Sequence, residues 1–382
     1  MPIWSELPSE LLQLVYKHLH LTGQLRFGLV CKSWLLVANK KPYPPAPEHP
    51  WLMTKRGNHK EPYEFLSITD KRVYKMYKFP QHESIKGCSE GWLVTKKDRE
   101  LLRLNPISNV QIQLPHHCQF TYVPDLCKIK KAIMLHGPDT FVAVLFSLGN
   151  LAICKVGEQI WRNTSTSINY DDIIFYKGKL YATYIDHDNQ ACFSVFSVYD
   201  YDRFSVSLVP ESAFCIGFAR FSLSTYLDTS IYLVESCGDL LMVTSRHRQI
   251  GFDVFKLEVN GSQGQYIKIK DLQDQVLFLG YGYSLSLASQ NSPPGLKGNH
   301  IYCSGSYFHD CKVVFSLKDG SIKSLPPRIA NLEDPIWFTP TLEECKVYWQ
   351  NLKPGFLCER SIIQLDTLLH LFRLFCNLHQ ER

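Results

Sequence analysis

Two kinds of hydrophobic pattern divide the chain. Between positions 2 and 38 apolar residues recur at helical spacing, with Leu11, Leu12, Val15 and Leu19 on one face, as an amphipathic helix requires. Pro8 fits its first turn, Glu10 complements the positive end of the helix dipole, and Lys17 and His18 complement the negative end. Gly23 is the expected stop. A second helical stretch carries Leu25, Leu29 and Val30, and a third carries Trp34, Leu35 and Val37. Gly28 weakens the middle helix by about 1 kcal/mol relative to alanine.

From about Trp51 to Gln350 the pattern changes to short β-type runs separated by Gly, Pro, Asn and Asp, such as Phe141 to Phe146, Phe193 to Tyr199, Phe252 to Leu257 and Lys312 to Leu317. No long amphipathic helix interrupts them, which favours an all-β body over βαβ units. Glycines at 178, 238 and 298, spaced 60 residues apart, each open an apolar strand, and each is followed about 14 residues later by an aromatic or β-branched run. Gly91-Trp92-Leu93-Val94 has the same form, whereas Gly149 falls off the rhythm and reads as a hairpin turn. Blades of four strands take ~40–50 residues, so the length predicts a β-propeller of about six or seven blades. A single sandwich is the competing architecture, and it normally uses fewer residues than this. Residues 361–382 read as a C-terminal helix with Ile362, Leu365, Leu369 and Phe372 on its apolar face.

The helical segment is too small for its apolar content. Chains below ~40 residues rarely fold alone without a metal, disulfide or partner, so something must cover Trp4, Leu7, Leu12, Leu14 and their neighbours. Pro42, Pro44, Pro45, Pro47 and Pro50 then form an extended, semi-rigid connector. The expected division is a helical module over 2–40, a Pro-rich linker over 41–50, a propeller over 51–350 and a terminal helix over 361–382.

Composition narrows the function classes. The chain has 382 residues, 45% hydrophobic and 20% charged, as expected of a globular core. No stretch approaches the ~20 apolar residues of a membrane span. Ser5, Glu6 and Glu10 interrupt anything resembling a secretion signal, so an intracellular protein is expected, in cytoplasm or nucleus. Without such a signal, the glycosylation patterns at Asn163 and Asn260 carry little weight. Thirteen cysteines include no CxxC pair, and His116-His117-Cys118 has no nearby partners to complete a site, so no metal and no cofactor are expected.

The net charge of +5 arises between Lys55 and Arg103, where 12 Lys/Arg face 7 Asp/Glu. Tyr63, Phe65, Tyr74, Tyr77 and Phe79 interleave with these bases, but the scatter favours strands with basic outer faces over a nucleic-acid surface. Asp171-Asp172 and Asp186-His187-Asp188 read as strand-end and turn residues rather than acid–base pairs. Gly280-Tyr281-Gly282 lacks the third glycine and the helix of a phosphate loop, and no serine sits in a GxSxG elbow. The expectation is a non-catalytic protein.

The segment from Trp4 to Leu12 (WSELPSELL), with Val15, Leu19, Leu25, Leu29 and the Val30-Cys31-Lys32-Ser33-Trp34 end, resembles an F-box. The body resembles the plant-type F-box proteins whose second domain, known as domain of unknown function 295, is a KIB-type β-propeller. The similar stretches include Gly87 to Val94 (GCSEGWLV), Leu104-Asn105-Pro106, Tyr232 to Val243 (YLVESCGDLLMV), Lys297-Gly298-Asn299 and Trp337 to Pro340. Cys88-Ser89-Glu90-Gly91 stands where the family often has Ser-Ser-His-Gly, and Gly28 is unusual inside an F-box.

The resemblance implies a substrate-recognition subunit of an SCF ubiquitin ligase. Its F-box would bind a Skp-type adaptor, and through it cullin and RING subunits, while its propeller selects protein targets. The implied adaptor contacts are Trp4, Leu7, Pro8, Leu11, Leu12, Val15, Leu19, Leu25, Leu29, Val30 and Trp34. For each the competing role is internal helical core. No nucleic-acid or membrane partner is implied. An interaction scaffold with a vestigial F-box is the alternative.

Overall fold

The computed structural model describes residues 7–19, 23–24, 27–28, 30–40, 50–54, 63–67, 73–76, 84–97, 100–106, 110–115, 129–164, 168–186, 191–198, 207–208, 212–216, 230–246, 251–260, 263–280, 282–289, 296–305, 312–325 and 335–340. The connector prolines other than Pro50, His116-His117-Cys118, and the C-terminal segment 361–382 lie outside these residues. The chain divides into two compact units, one holding the N-terminal helices and the other made of His49–Pro106 and Gln111–Thr339.

In the first unit, helix α1 spans Ser9–His18 and helix α2 spans Lys32–Asn39. Pro8 is the N-cap of α1 rather than a residue of its first turn, with φ −53° and ψ 143°. Its carbonyl accepts hydrogen bonds from the amides of Leu11 and Leu12, both at 3.1 Å. Proline suits this place because its missing N–H is not needed there. The helix stops at Leu19, which turns extended while its amide bonds to the Tyr16 carbonyl. Gly23 is therefore not the stop and is itself helical. What it supplies is space, since a Cβ there would sit 3.1 Å from the Leu19 Cβ. Gly28 lies in a turn rather than mid-helix, so the helix-interior penalty does not apply to it. Two helices are complete among the described residues, and between them Gly23, Gln24 and Phe27 are helical.

The second unit is a six-bladed β-propeller. Blade 1 pairs Ile336–Phe338 with Trp51–Thr54, followed outward by Tyr63–Ser67 and Val73–Met76. Blade 2 runs outward from Ser84–Ser89 through Trp92–Lys97 and Glu100–Leu104 to Gln111–Gln113. Blade 3 starts at Ile129–Leu135, blade 4 at Asp172–Tyr176 and blade 5 at Ile231–Ser236. Alternation of apolar side chains on these strands fills the seams. Tyr232 and Val234 pack with Leu277, Leu279 and Phe315 of blade 6, whereas Leu233 packs with Tyr176 and Phe193 of blade 4.

Blade 6 breaks the pattern. Its innermost strand, Leu285–Ala288, is second in sequence, and the following strand His300–Cys303 returns parallel to Gln275–Leu279. The Gly298 repeat thus opens a strand, as the sequence suggests, but by a crossover instead of a hairpin. Gly298 is needed for approach, since a Cβ there would lie 2.8 Å from the Gln273 carbonyl oxygen.

The ring closes through the two ends of the propeller, with Trp51 opposite Phe338 and Leu52 opposite Trp337. Trp337 and Phe338 are fully buried. The Trp337 indole donates to the Leu279 carbonyl at 2.8 Å, and its ring meets Phe278 edge-on at 5.0 Å. Closure this distant in sequence covers the edge of Trp51–Thr54 that an open array would leave unpaired.

Candidate functional site

Among the described residues, the core of the helical unit has five side chains, Leu12, Tyr16, Phe27, Trp34 and Val37. Phe27 sits between the other two rings, 5.2 Å from Tyr16 and 4.3 Å from Trp34. Leu7, Val15 and Leu19 pack half-buried against this cluster. The helical period explains the selection: Leu12 and Tyr16 are four apart and Trp34 and Val37 three apart, so each pair faces inward.

The same period leaves other apolar side chains outside. Leu36 is 66% exposed, Val30 46% and Leu14 45%, with Pro8 exposed beside them in sequence and Leu11 half-buried. Of the residues expected to touch an adaptor, Val30 and Pro8 are presented to solvent, whereas Leu12 and Trp34, at 1% and 3% exposure, hold the helices together. Trp4, Leu25 and Leu29 lie outside the described residues. Leu36 was not among the expected contacts, although its place two residues after the inward Trp34 turns it to the opposite side of the helix.

In the propeller, three hairpins leave the inner strands of blades 2, 4 and 5 through two-residue turns: Glu90-Gly91, Lys177-Gly178 and Cys237-Gly238. Both central residues have positive φ in every case, 46° and 79°, 47° and 74°, 51° and 79°. This is the type I′ geometry that matches strand twist and calls for glycine at the second place. It is also the physical content of the repeated glycine seen in the sequence.

These turns border a cavity of about 470 Å³ at one mouth of the central channel, lined by blades 2 to 6. The inner strands of blades 2 to 5 end at this mouth, while that of blade 6 begins there, at Tyr283 to Ser286. Lys131 lines it and donates to Asp172 Oδ1 at 2.7 Å, with both side chains buried. The other carboxylate oxygen of Asp172 accepts the Leu233 amide at 2.7 Å. One carboxylate thus stitches the inner strands of blades 3, 4 and 5. Asp172 is the first residue of its strand, a strand-end position as the sequence suggests. Next to it, Lys130 donates to the Asp171 carbonyl at 2.6 Å, and burial pulls its ammonium below the usual lysine range.

Other expected chemistry resolves into packing. Asp186 Oδ2 lies 3.5 Å from the sulfur of Cys192, which is disulfide-bonded and has no proton to donate, and His187 and Asp188 lie outside the described residues. Gly282 packs against the backbone of Gly87, where a Cβ would run into the Ala132 carbonyl. Burial pushes the Cys88 thiol up to about 12, so it is no nucleophile. Arg103, the last base of the Lys-rich region, is buried with its guanidinium 3.7 Å above the Trp92 ring. No helix among the described residues is long and apolar enough to cross a membrane.

Comparison with known proteins agrees with both units. Residues 4–43 match the F-box domain, and residues 65–325 match the KIB1-4 beta-propeller. The chain is similar to three Arabidopsis thaliana proteins along nearly their whole lengths. It is 25% identical to the putative F-box protein At4g17565, over 89% of this chain and 95% of that one. It is 23% identical to the F-box protein SKIP23, over 88% and 95%, and 24% identical to the F-box protein At2g05970, over 89% and 97%. With an F-box at its N-terminus and a matching propeller over most of its length, this chain belongs to the plant-type F-box proteins of the KIB1-4 β-propeller family.

Proposed function

We propose that the chain is the substrate-recognition subunit of an SCF-type E3 ubiquitin ligase, acting in cytoplasm, nucleus or both. Its F-box docks a Skp-type adaptor, which connects it to cullin and RING subunits, and its propeller selects the protein to be ubiquitinated. The chain performs no transfer chemistry itself. The boundaries that go with this reading are 2–40 for the F-box, 41–50 for the connector, 51–350 for the propeller and 361–382 for the terminal helix.

The observation that carries the proposal is the exposed apolar set Leu14, Val30 and Leu36 on a unit whose core cluster, among the described residues, holds five buried side chains. Surfaces of this kind, on a module too small to stand alone, are what obligate-type interfaces cover. Leu7, Leu11, Val15 and Leu19, half-buried beside the core, extend the surface, and Trp4, Leu25 and Leu29 complete the expected contact set. Leu12 and Trp34 act by holding the helices that present it.

Co-expression of the full chain with a Skp-type adaptor tests the reading. The two are expected to co-elute on gel filtration. An adaptor that elutes alone, with the chain folded, would place the protein among scaffolds with a vestigial F-box.

A further inference from the structure

Blades 3 and 4 exchange a strand at their outer rim. After Ala191–Ser197, the third strand of blade 4, the chain passes to blade 3, where Ser207–Leu208 pairs parallel with Arg162–Thr164. It then returns as Ser212–Ile216, the outermost strand of blade 4, antiparallel to Ala191–Ser197. A strap from blade 4 thus caps the edge of blade 3, and it is held there by two paired residues, Ser207 and Leu208. So short a ladder fixes little by itself, because each ordered residue loses chain entropy.

A covalent bond sits at the root of the strap. Cys192 is disulfide-bonded, whereas Cys31, Cys88, Cys154, Cys237 and Cys303 are free and cannot supply its second sulfur. The register of the outer pair sets Cys215 directly opposite Cys192. Opposed residues of an antiparallel pair share one face, with Cα atoms about 4.5–5.5 Å apart, inside the ~4.4–6.8 Å that a disulfide spans. By strand alternation Cys192 lies on the same side as Phe196, whose ring packs with Ile133, Phe141 and Leu151 of blade 3. The Cys192 side chain is fully buried, so the bond belongs to the seam between these two blades.

From this placement we infer that Cys192 and Cys215 form a reversible redox clamp that locks the strap and the outer strand of blade 4. Thiols in cytoplasm and nucleus are ordinarily kept reduced, so in the proposed location the clamp closes under oxidation. Hydrogen peroxide places a hydroxyl on one thiol sulfur and releases water. The second thiol attacks that sulfenic sulfur, the S–S bond forms, and a second water leaves with its proton. The two sulfurs lose the two electrons that the peroxide gains, and a dithiol restores both thiols by exchange. Because Cys192 is buried, either direction proceeds when Ser212–Ile216 lifts from Ala191–Ser197, a local opening of an edge strand. The inference takes the proposed location for when the bond forms, not for which sulfurs join, and it is independent of adaptor docking.

The test uses the full chain, divided between hydrogen peroxide and dithiothreitol, then alkylated and mapped by mass spectrometry without reduction. After peroxide the peptides holding Cys192 and Cys215 are expected as one cross-linked pair, two hydrogens lighter than the separate thiol peptides. After dithiothreitol both cysteines are expected to carry the alkyl group. Limited proteolysis between positions 197 and 212 should run about tenfold faster in the reduced chain, since the cross-link no longer opposes local opening. Cys192→Ala/Cys215→Ala should be cleaved at the reduced rate under both treatments, while Cys237→Asn, which removes an exposed free thiol, should keep the full response. Alkylation of both thiols after peroxide, a cross-link from Cys192 to any other cysteine, or equal cleavage of the oxidised and reduced wild type would each overturn the clamp. None of these readouts involves the adaptor or the cell compartment, so their failure leaves the ligase reading untouched.

Discussion

The helical unit and the propeller solve the burial problem in opposite ways. The propeller consumes its own apolar surface: its seams are filled by neighbouring blades, its last strand pairs with its first, and its buried charge is shared among three strands. Among the described residues the helical unit buries a cluster of five hydrophobic side chains and leaves Leu14, Val30 and Leu36 outside. A closed ring is stable by itself and offers loops and a channel mouth for recognition. An unfinished helical cluster gains stability when another protein completes it. The proposed division of labour between capture and adaptor docking matches this difference in self-sufficiency.

The comparison can be broken at its strongest points first. Trp34→Ala removes the ring that packs against Phe27 and is expected to cost about 3–5 kcal/mol in the helical unit. That exceeds what so small a unit holds in reserve. Calorimetry of the full chain should then lose any low-temperature helical transition while the propeller transition stays in place. A shifted propeller transition would show that the units are not independent. Asp172→Ala should do the converse. It strands a buried lysine and an inner-strand amide, at a cost of about 3–5 kcal/mol by analogy with broken buried pairs. It should lower the propeller melting temperature without changing adaptor co-elution. Replacing Cys237 by asparagine should act least. The residue holds φ 51° in a type I′ turn where asparagine is preferred, so a gain of about 0.5–1 kcal/mol in the propeller is expected.

The two units also differ in how far their sequences reveal them. The all-β body, its glycine turns at 91, 178 and 238 and the turn at Gly149 follow from local rules: alternation of side chains and positive φ. The crossover in blade 6 does not, because Gly298 precedes an apolar strand just as Gly178 and Gly238 do. Only tertiary pairing decides that the strand returns parallel. The role of Asp172 was hidden for the same reason, since its partners lie 41 residues before it and 61 after. In the helical unit the motif marks apolar positions but not the direction in which each side chain points. Leu12 and Trp34 are the most recognisable positions and lie inside, while Leu36, invisible to the motif, lies outside. Gly23 reads as a helix stop and Gly28 as a weak point inside the middle helix, yet one packs closely against Leu19 and the other lies in a turn.

The central claim is that the exposed apolar side of the F-box, rather than its core, meets the adaptor. Isothermal titration of a Skp-type adaptor into the full chain, wild type against Val30→Glu/Leu36→Glu, tests it directly. Both side chains are already solvent-exposed, so circular dichroism and the melting temperature should match the wild type. Adaptor affinity should fall about a hundredfold, as for loss of interface anchors worth about 1.4 kcal/mol each. An unchanged affinity in a folded double variant would contradict the account.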